Sequence, residues 1–130
     1  MAPIELIQRY LNAMRSGDRQ TGYGYFAEDV VVRIPGRSSF AGTHQGRQVA
    51  IDYIESAIAE AHAGDVEVEL VDALASRDRV CLMVRERFTL ESGTVEIRRA
   101  NVYRVRGDEI SEVWIFEGDQ YEVDALFGVA

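Results

Sequence analysis

The sequence contains no lysine; its 14 basic residues are all arginine. That excludes a Schiff-base lysine and the lysine of a phosphate-cradling P-loop, both of which need a primary amine. Cysteine occurs once, as Cys81, too few for an intramolecular disulfide or a multi-cysteine zinc site. Histidine occurs twice, as His44 and His62, which excludes a three-histidine metal centre. No apolar run approaches the roughly 18–20 residues of a membrane span. Met1 to Glu5 lack the basic-then-apolar order of a secretion signal. Basic charge is also in deficit: 14 basic against 22 acidic residues leave a formal net charge of −8. Nucleic acid and anionic membrane are poor partners for such a chain, because both are bound through basic faces. The reading is a soluble, cytoplasmic protein in a reducing compartment, without a nucleic-acid or membrane partner.

What is present is an ordinary globular mix, 47% hydrophobic and 28% charged over 130 residues. This length fits one domain spanning residues 1–130 and leaves no room for a second core. Ile4, Ile7, Leu11 and Met14 recur at helical spacing, with Pro3 suited to a first helical position and Gly17 to the residue past the end. Asp18 is placed to cap a short second helix to about Ala27. Val30 to Ile34 reads as a strand stopped by Pro35-Gly36, and Arg37 to Gln45 as a loop. A third helix is expected from Gly46 to about Ala61. Strands follow at about 65–75, 79–90, 94–106 and 109–117. Asp119, with Glu122 three residues on, has the pattern of a capping box for a short terminal helix. Helices first and a mostly antiparallel sheet afterwards imply an α+β fold, the helices on one sheet face.

The turns allow a finer step. Ser92-Gly93 fits a two-residue hairpin connection. Glu86 then faces Arg99, Val84 faces Asn101 and Phe88 faces Ile97. If Val105 pairs with Ile110 across the next turn, Asn101 faces Trp114 and Arg99 faces Phe116. Side chains alternate along strands, so one face carries Val80, Leu82, Val84, Glu86 and Phe88 beside Arg99, Asn101, Tyr103, Trp114 and Phe116. It is apolar apart from Glu86, Arg99 and Asn101, which need partners if buried. The opposite face is apolar in its middle at Met83, Ala100, Val102, Val113 and Ile115. A sheet apolar on both faces is covered on both. Helices can cover one, so a homodimer is expected through the other, closed isologously.

Several segments carry a resemblance: IQRYLNAMRSGD, YFAEDVVVRIPG, FAGTHQGRQVAIDYI and NVYRVRGDEISEVWIFEGDQYEVDALFG. Together, over nearly the whole chain, they resemble the SnoaL-like group of the nuclear transport factor 2-like superfamily. Ketosteroid isomerases, limonene-epoxide hydrolases and polyketide cyclases belong to that superfamily. The resemblance implies a cone, with a curved sheet wrapped on N-terminal helices around a deep apolar pocket, and usually a dimer. Tyr10 matches the isomerases' first oxyanion donor, and Asn101 stands where their protonated aspartate would be. The isomerases' general base falls on Ile34. Arg99 matches the arginine of the epoxide hydrolases, whose two aspartates are replaced by Asn101 and Phe116. The cyclases' pocket histidine near the last strands has no counterpart.

The catalytic candidates are therefore Glu86 as the proton carrier, Arg99 as its orienting partner, and Tyr10 with Asn101 as donors to a developing oxyanion. Glu86–Arg99 reads, more readily, as a structural cross-strand ion pair, and Tyr10 as a core residue. Trp114, Phe116, Phe88, Tyr103, Val84 and Ile34 are candidates for a ligand-facing wall, with His44 at the mouth. No metal or cofactor is expected. His62 reads as a helix-end charge, and Asp65, Glu67, Glu69 and Asp72 as a solvated acidic edge. GYGYFA at Gly22 to Ala27 matches a dinucleotide fingerprint by letter, but follows no strand. Two functions remain open. One is a cofactor-free isomerase, cyclase, dehydratase or epoxide hydrolase acting on a polyketide-, steroid- or terpenoid-like compound. The other is a non-catalytic small-ligand-binding or dimerisation module.

Overall fold

A computed structural model of the chain describes residues 1–61, 66–90 and 93–128. His62, Asp65 and Ser92 lie outside the described residues. Helix α1 (Pro3–Arg15) begins at the proline and ends before Gly17, which takes φ 85°, a conformation glycine adopts without steric cost. Its inward side carries Leu6, Ile7, Tyr10 and Ala13. Helix α2 (Arg19–Tyr23) is shorter than the sequence pattern implies, although Asp18 caps it as expected by accepting from the Thr21 amide. Gly22 and Gly24 are poor helix formers, and strand β1 (Phe26–Ile34) starts straight after them. The expected loop from Arg37 holds a further short strand, β2 (Gly42–Gln45).

Helix α3 (Arg47–Ala61) follows, then β3 (Val66–Ala75), β4 (Arg79–Leu90), β5 (Gly93–Arg106), β6 (Glu109–Glu117) and α4 (Gln120–Phe127). Asp119 caps α4 through the Glu122 amide at 3.2 Å. The strands form a curved, unclosed six-stranded sheet in the order β2-β1-β6-β5-β4-β3. Among the described residues only the β1–β6 pair is parallel. Arg47, the arginine after Gly46, reaches back with Nε and NH2 to the Phe26 carbonyl at 3.0 and 2.7 Å. It ties the start of α3 to the start of β1.

Two registers differ from the sequence reading, with unequal consequences. In the β4–β5 hairpin Leu90 pairs with Gly93, so Val84 faces Arg99 and Glu86 faces Ile97. The slip is two residues, the side-chain period of a strand, so every residue keeps its face. Between β5 and β6, Val105 does pair with Ile110, but Arg104 then pairs with Glu112. Ser111 is the extra residue of a β-bulge, and its hydroxyl donates to the Arg104 carbonyl at 3.3 Å. A one-residue offset exchanges the faces of everything beyond it. Asn101 therefore faces Ile115 and Arg99 faces Glu117, while Trp114 and Phe116 join Val102 and Ala100 on the outer face.

The inner face and the helices enclose one cluster built on Leu6, Ile7, Tyr10, Phe26, Val30, Leu82, Val84, Tyr103 and Ile110. A second, smaller cluster of Phe88, Ile97, Val123 and Phe127 sits where α4 meets the ends of β4 and β5.

Candidate functional site

A cavity of about 220 Å³ lies between these clusters. Its apolar wall is Phe26, Val32, Ile54, Phe88, Val113, Ile115 and Phe127, and its polar wall is Tyr10, Tyr53, Glu86, Arg99, Asn101 and Tyr103. Each polar group has a clear origin. Tyr10 comes from the buried side of α1, and Tyr53 comes from α3. Glu86 is on the inner side of β4, and Arg99, Asn101 and Tyr103 occupy alternate positions of β5.

Arg99 sits between two carboxylates. Its Nε is 2.8 Å from Glu117 Oε1 and its NH2 donates to Glu117 Oε2 at 3.0 Å, a two-point contact. Its NH1 lies 3.2 Å from Glu86 Oε2. The Glu117 side chain is 2% exposed, against 17% for Glu86 and 14% for Arg99. Burial opposes charge on Arg99, but the two carboxylates outweigh it and hold its pKa above the ordinary arginine value. Burial raises the Glu117 carboxyl, with Arg99 pulling the other way. Glu117 thus anchors the guanidinium, and Glu86 is the carboxylate on the cavity wall.

The tyrosines keep their protons. Burial pushes Tyr10 well above its ordinary value, with Tyr103 adding to the effect. Burial likewise raises Tyr103, and moves Tyr53 up to about 12. The Tyr10 and Tyr103 rings lie 5.7 Å apart and tilted. Neutral phenols beside a carboxylate in a largely apolar enclosure can donate to an oxygen that gains negative charge.

The structure thus brings Glu86, Arg99, Tyr10, Asn101, Tyr103 and Phe88 to one cavity. Val84 lines an adjoining chamber, and Ile34 a small one of about 40 Å³. Trp114 and Phe116 must be corrected: the Ser111 bulge turns them outward, where Phe116 is 54% exposed. Arg33 and Arg79 lie against the Trp114 ring at 5.7 and 5.8 Å. Conversely Val113 and Ile115, expected in the dimer face, line the cavity. His44 stacks on Tyr53 at 4.9 Å and bonds the Phe40 carbonyl through Nε2 at 2.7 Å, so it supports the wall from behind. Glu117, Tyr53 and Phe127 join the site without a place among the sequence candidates. Glu117 has a signal: opposite Phe116 the arginine has a counter-charge on its β4 side alone, in Glu86, whereas one residue further along β6 it meets a second carboxylate. Among the described residues no three or more His, Cys, Asp and Glu side chains converge as a metal site requires. No helix among them is long and apolar enough to cross a membrane.

A curved open sheet on N-terminal helices, with a polar cluster inside the cone, defines a small-ligand-binding fold of the nuclear transport factor 2-like kind. The chain belongs to the SnoaL-like domain family, whose model matches residues 7–113. Solved structures agree on the fold. A protein of cystatin-like fold from Xanthomonas campestris is 27% identical, with 98% of this chain and 99% of that one covered at a TM-score of 0.86. A nuclear transport factor 2-like protein from Burkholderia xenovorans is 21% identical, with 97% and 95% covered at 0.77. RV0760c from Mycobacterium tuberculosis, in complex with estradiol-17β-hemisuccinate, is 20% identical, with 88% and 93% covered at 0.71. No curated protein sequence matches the chain.

Proposed function

We propose that the cavity binds a small, mostly apolar molecule carrying a polarised oxygen and moves a proton on it without a cofactor. The observation that carries this reading is the convergence of Glu86, Tyr10 and Asn101 on one largely apolar cavity, with Arg99 held in place by Glu117. Glu86 accepts the proton, Arg99 orients Glu86, and the Tyr10 hydroxyl and Asn101 amide hold the oxygen. A base and fixed donors in a water-poor site suffice for isomerisation, cyclisation, dehydration or epoxide opening. Polyketide-, steroid- and terpenoid-like compounds have the matching chemistry. The steroid ester bound by the mycobacterial relative supports this class.

The test is α-proton exchange of a cyclic ketone such as 2-tetralone in D2O, followed by NMR. Exchange above the buffer rate is expected, and it is lost in Glu86→Gln while ketone binding persists. Unchanged exchange in Glu86→Gln removes Glu86 from the role. A non-catalytic binding protein is the second reading. It is favoured by one observation: Glu86 already engages Arg99.

We also propose that the outer sheet face pairs two copies of the chain isologously, in a reducing cytoplasmic setting that suits the single free Cys81. The patch expected there keeps Met83, Ala100 and Val102, and the bulge replaces Val113 and Ile115 by Trp114 and Phe116. Val71, Met83 and Phe116 are 52%, 41% and 54% exposed around a groove of about 340 Å³. Arg85 and Arg98 at its rim, with Glu96 beside them, give a rim of mixed charge that a two-fold axis can set in register.

A further inference from the structure

The cone holds a second chamber, of about 240 Å³, on the side of α1 and β3. Its apolar lining is Leu11, Met14, Ile58, Val68, Leu82 and Val84, with Arg15 on the outer wall, where its NH2 donates to the Val68 carbonyl at 3.4 Å. It shares four residues with the first cavity, Tyr10, Glu86, Asn101 and Tyr103. Every one of the four is polar, so the polar groups form a waist between two apolar chambers rather than a floor beneath one. Neighbouring residues of α3 mark the division, because Ala57 lines the first chamber and Ile58 the second.

Two observations fix the chemistry of the waist. The Asn101 side-chain amide hydrogen-bonds Tyr103, while its Oδ1 is buried with no hydrogen-bond partner among the described residues, an acceptor that a donor on the ligand would satisfy. Arg99, the cation there, is already engaged by Glu86 and Glu117. Glu86 is the charged residue among the four at the waist, and the guanidinium beside it is shared with Glu117, so a further anion placed between the chambers would be repelled at low effective dielectric.

We propose that the ligand is a neutral two-armed molecule, with an apolar group in each chamber and a hydroxyl, or a carbonyl that can enolise, between them at the waist. This rests on the cavity reading above and narrows it to a class of compound. Together the chambers reach the range of small-molecule sites, roughly 300–1,000 Å³.

The test measures by calorimetry the binding of three probes. These are 1-phenylethanol, with one ring; 1,2-diphenylethanol, with a ring on each side of the hydroxyl; and 2,3-diphenylpropanoate, a carboxylate on the two-ring skeleton. The two-ring alcohol should bind about tenfold or more tighter than the one-ring alcohol, the gain expected for burying a second ring. It should also outbind the carboxylate. Ile58→Trp, which fills the second chamber, should remove the gain, so that the one-ring and two-ring alcohols bind alike. Met14→Phe fills the same chamber from α1 and gives the same reading if Ile58→Trp does not fold. One-ring binding with no two-ring gain, a gain that survives both variants, or a preference for the carboxylate overturns the two-armed ligand while leaving the cavity reading intact. Failure of all three probes to bind overturns both.

Discussion

Arg99 keeps two carboxylates apart in a place that water barely reaches. Replacing it with Met leaves Glu86 and Glu117 without their common cation. Removing one member of a buried ion pair typically costs about 3–5 kcal/mol, so Arg99→Met should lose that much in urea denaturation, and Glu117→Gln in the same chain should recover part of it. Glu117 also makes a pH prediction. Burial raises its pKa above the ordinary 4.5, so the folded state binds the proton more tightly than the unfolded state does. Its contribution to stability is therefore full below the unfolded value and declines as pH rises through the folded value. Measured against Glu117→Gln across that window, the wild type should lose melting temperature relative to the variant as pH increases. A constant difference would show that Arg99 cancels the burial effect. Tyr10→Phe removes one of the two proposed oxyanion donors, so the exchange rate should fall about 100-fold by analogy with other such sites, with ketone affinity little changed.

At the scale of elements, the sequence announces its helix ends and turns well, because capping and punctuation are local. Pro3, Asp18, Asp119 and Gly128 stand at the element boundaries they imply. The α2 end was less legible, since β1 takes over before the apolar pattern gives out. The site was half legible for the same kind of reason. Glu86, Arg99, Asn101 and Tyr103 lie on the two strands before the bulge, where plain alternation assigns faces correctly. Trp114 and Phe116 lie beyond it, in an apolar run from Val113 to Phe116 whose alternation is invisible. The break that betrays the bulge is Ser111-Glu112, two polar residues in succession after the buried Ile110. Deleting Ser111 should force Trp114 and Phe116 inward and Glu117 outward; we expect loss of the cooperative urea transition. A variant that unfolds as the wild type does would mean that β6 re-bulges elsewhere. Gly118 closes the same strand. A Cβ there would stand 2.9 Å from the Arg98 carbonyl, so Gly118→Ala should push the end of β6 off β5 and loosen the Glu117–Arg99 contact.

At the scale of the whole molecule, the chain buries one sheet face under its own helices and leaves the other to be covered. Sedimentation velocity at micromolar concentration should show a dimer, and Phe116→Glu should give a folded monomer. A wild-type monomer at 100 μM, a concentration chosen for the test, would sink the paired-sheet proposal. Trp114 makes the division between faces useful in practice. It is the only tryptophan in the chain and lies outside the cone, between Arg33 and Arg79. Its emission reports on the outer surface, where a second copy would dock, and is screened from the cavity by the thickness of the sheet. A ligand titration followed by tryptophan emission alone should stay flat however tightly the cavity fills, and only the phenols inside should register the guest.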